Sequence, residues 1–177
     1  MPFLEIVTRC YRRPTLLRAN VDSITRQSDP DCQHTLLVDN TGMGCAAANA
    51  QLATFEPVGD FVWVLDDDDL CVYPDLVRDL KSFTGVQAFV VRMDHGDLGV
   101  LPPLNLWEQP PVEGQIGASA VIASAAVWRA ERAAWATGRY ASDYDFANAV
   151  ISRHPTLWLD LVASAVQQRS LGAPECI

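Results

Sequence analysis

The side chains with the clearest capacity for chemistry are four consecutive aspartates, Asp66, Asp67, Asp68 and Asp69, which directly follow the apolar residues 61–65. Like charges a few ångströms apart repel one another and raise each other's pKa, so a fold that keeps such a block must compensate its charge. A divalent cation does so in many proteins, because Mg²⁺ prefers oxygen ligands and is commonly held by one or two carboxylates together with substrate phosphates. The block therefore predicts a Mg²⁺ or Mn²⁺ site, with a solvated acidic turn as the alternative.

The residues on either side of this block alternate between strand and helix patterns. Pro14 suits the first turn of a helix, and Leu17, Val21 and Ile24 follow it at helical spacing. Such alternation predicts an α/β fold of the Rossmann-like kind, with a mostly parallel sheet flanked by helices. The predicted strands are 3–8, 34–39, 61–66 and 86–93, and the predicted helices are 15–27, 45–53 and about 75–83.

In sheets of this kind, ligands bind in the crevice beyond the carboxyl ends of the strands. The acidic block, Asp39 and the arginine-rich segment 9–13 all lie at predicted strand ends. We therefore expect three separate parts of the sequence to meet at one crevice.

The second half of the chain is less regular and carries fewer signals. Residues 94–115 are rich in proline and glycine, and the later elements are predicted as a strand at 116–123, a helix at 125–137, a helix ending near 152 and a strand at 156–167. We expect residues 1–177 to form a single domain, with a subdivision near residue 94.

Composition and charge disfavour several classes of protein. The net charge of −9 disfavours a nucleic-acid partner, which usually requires a basic surface. Five cysteines without a Cys-x-x-Cys or Cys/His pattern indicate reduced thiols, and no apolar run is long enough to span a bilayer. Because residues 3–7 already have the pattern of a core strand, we expect no cleavable leader and a cytoplasmic protein.

Five segments of the chain have the character of motifs: 6–14 (IVTRCYRRP), 37–41 (LVDNT), 44–50 (GCAAANA), 64–69 (VLDDDD) and 142–146 (SDYDF). In order and with similar gaps, they resemble the motifs of family 2 glycosyltransferases of the GT-A type. These motifs are, in turn, the first strand with its Tyr-Asn-Arg-Pro turn, the second strand, the Gly-x-x-x-Ala-x-Asn helix, the DxD block and the late Glu-Asp motif.

Four positions depart from the family pattern. Arg9 and Cys10 replace small residues or proline, Arg12 replaces Asn, and Ser142 stands where the family often has Glu.

The resemblance implies a metal-dependent glycosyltransferase of the hexosyltransferase type. Such an enzyme transfers a sugar from a nucleoside diphosphate sugar, with a UDP-sugar favoured, to an acceptor hydroxyl with inversion at the sugar carbon. It also implies Mn²⁺ or Mg²⁺ as cofactor, because the metal stabilises the departing diphosphate as a Lewis acid.

Site residues are carried over onto the matching positions. The resemblance places Asp39 at the nucleobase and makes Asp143, with Asp145 as second choice, the base that deprotonates the acceptor. The expected nucleotide-sugar-binding residues are Thr8, Arg9, Tyr11, Arg13, Asp39, Asn49, Asp66 and Asp67, and the expected metal ligands are Asp68, Asp66, Asp69 and His154.

Several of these residues have a plainer alternative role. Asp67 is expected to point away from Asp66 and Asp68, because neighbouring side chains of an extended segment face opposite sides. Asn49 either contacts the nucleotide or ties its helix to a loop, and Trp107 either stacks on a sugar or packs within its loop. The two acids near residue 143 also suit a helix N-terminus for electrostatic reasons alone.

Two other functions compete with glycosyl transfer. A nucleotidyltransferase shares the architecture but would need a glycine-rich loop with arginine and a lysine near the first strand, whereas the only lysine is Lys81. A non-catalytic module that binds nucleotide sugars is the other alternative. The acceptor is left open among protein, lipid, small glycan and modified nucleic-acid base, because acceptor loops vary on a fixed scaffold.

Overall fold

The computed structural model describes residues 1–42, 44–139 and 141–167; Cys176, one of the five cysteines, lies outside them. Within this part of the chain, none of the helices is long and apolar enough to cross a membrane. The strands are β1 (Leu4–Cys10), β2 (Cys32–Val38), β3 (Phe61–Val64), β4 (Asp69–Cys71), β5 (Ala88–Asp94), β6 (Val100–Leu101), β7 (Val121–Ser124) and β8 (Thr156–Val166). The α-helices are α1 (Pro14–Ile24), α2 (Cys45–Thr54), α3 (Leu76–Leu80), α4 (Ala125–Glu131) and α5 (Ser142–Arg153).

All the strands in the described part of the chain belong to one sheet. Its order is β2-β1-β3-β7-β5-β8-β4, with β6 added to β5. The longest pairings, β1 with β2 and β5 with β8, are parallel, as is β1 with β3. The antiparallel pairings of β7 with β3 and β5, of β4 with β8 and of β6 with β5 are shorter. The predicted α/β class with a mostly parallel, helix-flanked sheet is confirmed.

Some elements differ from the sequence prediction. Helix α3 spans only Leu76–Leu80, and the helix predicted at 125–137 consists of α4 followed by a 3-10 helix, Arg132–Ala136. Strands β4 and β6 were not predicted. Their two or three residues are too few to show a period, and β4 exists because it pairs with the distant strand β8.

The sheet is covered on both faces, which explains the uninterrupted apolar run of β3. Val62 and Val64 belong to one core cluster, which includes Trp128 from α4. Trp63 belongs to a second cluster, which includes Leu80 from α3. A strand with helices on both faces is apolar at every position rather than at alternate ones. The acidic block begins two residues after this doubly covered strand ends.

The backbone of the acidic block is held from two directions. The side-chain amide of Asn20, on α1, donates to the carbonyl oxygens of Asp66 and Asp69, at 2.9 Å each. The side-chain amide of Gln167 donates to the carbonyl of Asp67 at 3.0 Å, and its backbone N–H donates to the carbonyl of Asp68 at 2.7 Å. Asn20 is fully buried. These bonds fix the directions in which the four carboxylates leave the chain.

We predict that Asn20→Ala destabilises the fold by about 2–4 kcal/mol, because it leaves two carbonyl groups of the turn without their donor. The free energy of unfolding in urea measures the loss. Gln33→Ala is the matched control, because Gln33 is exposed and its amide makes one long contact, 3.4 Å, with Thr35. A loss for Asn20→Ala no larger than that of the control would show that the turn does not depend on Asn20.

Candidate active site

Arg9 is the counter-ion of Asp66. It projects from β1, and its Nε and Nη2 atoms lie 2.7 and 2.5 Å from the two carboxylate oxygens of Asp66, a bidentate ion pair. Its third nitrogen, Nη1, donates to the side-chain oxygen of Asn49, and its guanidinium lies 5.4 Å from the ring centroid of Trp135. Every edge of this guanidinium is therefore in contact with the protein.

Arg13 is the counter-ion of the next two acids. Its Nε and Nη2 atoms bond to the carboxylate of Asp67, and its Nη1 lies 2.7 Å from an oxygen of Asp68. The side chain of Asp67 is completely buried, whereas that of Asp68 is 15% exposed. The structure thus turns Asp67 inward, as the alternation argument expects, and leaves Asp68 at the surface of the site.

Burial and mutual repulsion shape the charge of the block. Loss of solvent raises the pKa of Asp67 to about 6, with the Arg13 charge acting in the opposite direction. Burial also raises the pKa of Asp69 well above its ordinary value, and the charges of Asp66 and Asp68 raise it further. At the two buried carboxyl groups, the charges of neighbouring aspartates therefore add to the effect of burial, which is the larger cause.

Asp39 organises the loop that follows β2. One of its carboxylate oxygens accepts from the backbone N–H and hydroxyl of Thr41 and from the N–H of Gly42, and the other accepts from the N–H of Gly44. The Thr41 hydroxyl and these amides lower the pKa of Asp39. The carboxylate thus holds its own loop, and its proposed contact with the nucleobase stays a prediction.

The segment after β1 joins this loop to the acidic block. The backbone N–H of Tyr11 lies 3.4 Å from an oxygen of Asp67, and a side chain at Gly42 would come within 3.3 Å of the Tyr11 hydroxyl. Gly42 has a φ of +74°, so a glycine suits both this conformation and this close approach. Arg12 is exposed, and its guanidinium lies 4.9 Å from the centroid of the Tyr11 ring.

Thr8, expected to bind the nucleotide sugar, lies inside the protein. It is fully buried, its hydroxyl donates to the carbonyl of Leu65 at 2.7 Å, and the Nε2 atom of His34 lies 2.8 Å from it. These bonds tie β1 to the end of β3 and to β2. The Thr8 side chain therefore holds the strands that carry the site. Its buried position does not support the predicted contact with a nucleotide sugar.

Asn49 links the two halves of the chain. While its oxygen accepts from Arg9, its side-chain nitrogen donates to the hydroxyl of Ser142 at 2.6 Å. Both Asn49 and Ser142 are buried. Ser142 stands where the resembled family has Glu, and its small hydroxyl is the acceptor that completes the chain of contacts from Asp66 through Arg9 and Asn49 to the start of α5.

Asp143 and Asp145 have different surroundings. Burial raises the pKa of Asp143, and the charges of Arg9 and Asp66 reach its carboxyl group, one oxygen of which accepts from the N–H of Tyr144 at 2.8 Å. Asp145 instead accepts from Thr137 at 2.7 Å and pairs with Arg139 at 2.8 Å. Both oxygens of Asp145 are therefore engaged, whereas Asp143 lies within electrostatic reach of the acidic block.

His154 contacts Glu131 rather than the aspartates with which it was expected to share a metal ion. Its Nε2 atom lies 2.9 Å from the carboxylate of Glu131, a buried residue of α4, which also pairs with Arg153. The structure gives no contact between His154 and the acidic block. Its binding of the metal stays a prediction, and the contacts of its ring do not support it.

Trp107 packs against Trp158 and Arg92. Its ring meets that of Trp158, on β8, edge to face with centroids 5.0 Å apart, and the guanidinium of Arg92 lies 5.8 Å from its ring. Arg92 also donates to the carbonyl of Pro102. These contacts favour the packing role over sugar stacking.

The carboxylate oxygens of the acidic block are chemically suited to a hard cation, but substrate oxygens would have to complete its coordination. No group of three His, Cys, Asp or Glu side chains in residues 1–42, 44–139 and 141–167 is arranged to hold a metal ion. Two carboxylates suffice, however, where substrate phosphates complete the coordination of Mg²⁺. Asp66 and Asp68 are 24% and 15% exposed and have the required oxygens, so these residues fit a cation that binds together with a diphosphate.

Several residues that build the site are not predictable from their sequence pattern. Asn20 and Gln167 fix the acidic block, Trp135 supports Arg9, and Ser142 holds Asn49. Asn20 gave one usable signal, a polar residue that follows Leu17 on the face of a predicted amphipathic helix. Gln167 and Trp135 lie far away in sequence and gave none.

Comparison with known proteins supports the architecture at the level of the fold. No protein-family model and no curated protein matches the chain. Among solved structures, S. aureus TarS 1–349 matches with a TM-score of 0.65 and 14% identity, over 93% of this chain and 60% of that one. TarS has also been solved with UDP-GlcNAc. Mannosyltransferase PcManGT from Pyrobaculum calidifontis, in complex with GDP-Man and Mn²⁺, matches with a TM-score of 0.62 and 14% identity, over 97% of this chain and 58% of that one.

Two shorter proteins match over nearly their whole lengths. A glycosyltransferase involved in glycosylation of the major capsid of PBCV-1 matches with a TM-score of 0.59 and 12% identity, over 96% of this chain and 95% of that one. A nucleotidyl transferase from Methanothermobacter matches with a TM-score of 0.55 and 11% identity, over 92% and 88%. The chain spans about 60% of the TarS segment and of the mannosyltransferase. At these identities the likeness shows the GT-A fold predicted from the sequence.

Proposed function

We propose that this protein is a glycosyltransferase that moves a sugar from a nucleoside diphosphate sugar to an acceptor hydroxyl, with inversion at the sugar carbon. The observation that carries the proposal is the pairing of Arg9 with Asp66 on a GT-A fold, close enough to Asp143 for both charges to act on its carboxyl group. A candidate base thus lies within electrostatic reach of a candidate diphosphate site. The reaction needs this arrangement, because the acceptor loses its proton as the diphosphate departs.

A UDP-sugar is our first choice of donor. Its support is the resemblance of segment 37–41 to the strand that contacts the nucleobase and the match to TarS, which has been solved with UDP-GlcNAc. The complex of PcManGT with GDP-Man makes a GDP-sugar the second choice. Residues 1–93 would hold the donor, and residues 94–177 would supply the acceptor side of this single domain.

The metal part of the proposal concerns Asp66 and Asp68. These two carboxylates would hold Mn²⁺ or Mg²⁺, which as a Lewis acid stabilises negative charge on a departing diphosphate. The protein's own contribution to the same task comes from Arg9 and Arg13, because guanidinium groups match the geometry of phosphate oxygens in a bidentate way.

Asp143 is proposed as the base that takes the acceptor proton. Its raised pKa makes it a stronger base than an exposed aspartate, and it lies within reach of the charges of Arg9 and Asp66. Asp145 is the weaker candidate, because Thr137 and Arg139 occupy both of its oxygens. His154 is the weaker of the proposed metal ligands for the corresponding reason, its contact with Glu131.

A nucleotidyltransferase is the second candidate, and the match to the Methanothermobacter protein favours it at the level of the fold. The site argues against it, since the only lysine, Lys81, pairs with Asp29 and Asp31 and not with the acidic block. Release of pyrophosphate from a nucleoside triphosphate plus a sugar phosphate would support this candidate and contradict ours.

We predict that a UDP-sugar or a GDP-sugar together with Mn²⁺ raises the melting temperature, by a stabilisation of about 2.7 kcal/mol at a ligand concentration one hundred times Kd. Asp68→Asn keeps the shape of the side chain and should abolish the part of the shift that requires Mn²⁺. Asp22→Asn, a change at an exposed position of α1, is the control. Equal stabilisation with and without Mn²⁺ in the native protein would contradict a metal-dependent donor site.

We predict that Asp143→Asn lowers the rate of nucleoside diphosphate release from the donor by about 10²–10⁴-fold, the usual contribution of a general base. Donor binding, measured by calorimetry, should change little. Asp145→Asn is the matched control on the same helix and should lower the rate less than tenfold. If the effects of the two substitutions were reversed, Asp145 would be the base.

A pH dependence follows from the burial of Asp143. A base acts only when it is ionised, and burial raises the pKa of this carboxyl group above its ordinary value of about 3.9. The rate should therefore fall as pH drops through this raised pKa. The decrease in kcat/KM on the acid side should occur at a higher pH than an exposed aspartate would give. A rate that stays constant down to about pH 4 would exclude Asp143 as the base.

A further inference from the structure

The carboxylates proposed to hold a cation are already neutralised by arginines. Asp66 is held by two nitrogens of Arg9, at 2.7 and 2.5 Å, and Asp68 by one nitrogen of Arg13, at 2.7 Å. A cation that approached them would meet two guanidinium charges in the same place. It would have to bind beside these charges or displace them.

We propose that Arg9 and Arg13 make cation binding and nucleoside diphosphate binding a single coupled event. Without the diphosphate, the arginines hold Asp66 and Asp68 and disfavour the cation. The diphosphate supplies alternative oxygens to the arginines and releases the carboxylates to the cation. This inference rests on the proposed function, since it assigns a form of regulation to the same site.

The two arginines are not equally free to change partners. Arg13 is anchored by two bonds to the completely buried Asp67, and its Nη1 atom contacts Asp68. Arg13 can therefore turn its Nη1 edge to another oxygen while this anchor stays in place. Arg9 holds Asp66 through both carboxylate oxygens, a bidentate pair that a cation must displace to reach Asp66. We therefore assign the larger part of the barrier to Arg9.

The remaining contacts of Arg9 allow such an exchange. Its Nη1 bond to Asn49 and its contact with Trp135 do not involve Asp66, so they can keep the guanidinium in the site while its other edge turns to a phosphate. Asn49 is itself fixed by Ser142. Arg9 replaces a small residue or proline of the resembled family. A rotation about its bond to Asn49, on α2, would give this replacement a function.

The coupling has an electrostatic origin. Opposite charges within a few ångströms stabilise the ionised carboxylates, whereas a divalent cation beside an unmoved guanidinium is repelled. The diphosphate carries several negative charges and accepts bonds from guanidinium groups. The coupling is reciprocal: if the diphosphate raises the affinity for the cation by some factor, the cation raises the affinity for the diphosphate by the same factor.

Mn²⁺ affinity with and without UDP tests the proposal. Binding is measured from the electron paramagnetic resonance signal of free Mn²⁺ and requires no turnover. In the native protein, saturating UDP should tighten Mn²⁺ binding by about tenfold or more, within the range usual for coupled sites. Equal Mn²⁺ affinity with and without UDP would overturn the proposal.

The variant Arg9→Met removes the guanidinium and keeps an apolar side chain of similar length. It should bind Mn²⁺ alone about tenfold more tightly than the native protein, and the enhancement by UDP should shrink by the same factor. Arg9→Lys keeps the charge without the bidentate geometry and should give an intermediate result. Unchanged Mn²⁺ affinity in the folded Arg9→Met protein would overturn the role of Arg9.

Two controls make the outcomes distinguishable. Arg78→Met removes an arginine that pairs with Asp75 and Asp79 on α3, and it should change neither affinity. If Arg9→Met does not fold, as judged by circular dichroism, the native protein and Arg9→Lys decide the question. Failure of both UDP and GDP to bind the native protein, with or without Mn²⁺, would overturn the proposed donor class itself. UDP binding that is independent of Mn²⁺ would overturn only the coupling.

Discussion

The pairing of Arg9 and Arg13 with three successive aspartates is the interaction on which the site depends. Three adjacent carboxylates at the end of a buried strand repel one another, and one of them, Asp67, is completely buried. A buried charge is tolerated when it is paired and hydrogen-bonded, and both conditions are met by the bidentate contact with Arg13. The arginines come from the end of β1 and the turn after it, so the ion pairs also fix the first strand against the third.

The directions of the carboxylates are set by the backbone that carries them. Asn20 and Gln167 bind four successive carbonyl groups of the acidic block between α1 and the end of β8. The segment therefore has the rigidity of a strand without belonging to one over its whole length. Asp66 and Asp68 face the site, whereas Asp67 and Asp69 are buried, and this division turns four equivalent residues into two distinct pairs.

The start of α5 shows how a helix divides neighbouring acids. Side chains two positions apart leave an α-helix at about 200° from one another, since each residue turns about 100°. Asp143 therefore leaves the helix on the side away from Asp145, within reach of the charges of Arg9 and Asp66, while Asp145 reaches Thr137 and Arg139. The contact between Asn49 and Ser142 holds this helix at the correct rotation, because it is buried and joins α2 to the first residue of α5.

The amino-acid sequence by itself determined the α/β class and the position of the acidic block at a strand end, because the runs at β1, β3 and β5 are long enough to show their apolar character. The residue types that suit a cation and a diphosphate were also visible without a structure. Only the tertiary structure decided which charges meet. The partners Arg9 and Asp66 lie 57 positions apart, and Asn49 and Ser142 lie 93 apart. Contacts over such separations arise from packing of the whole sheet, and no local pattern encodes them.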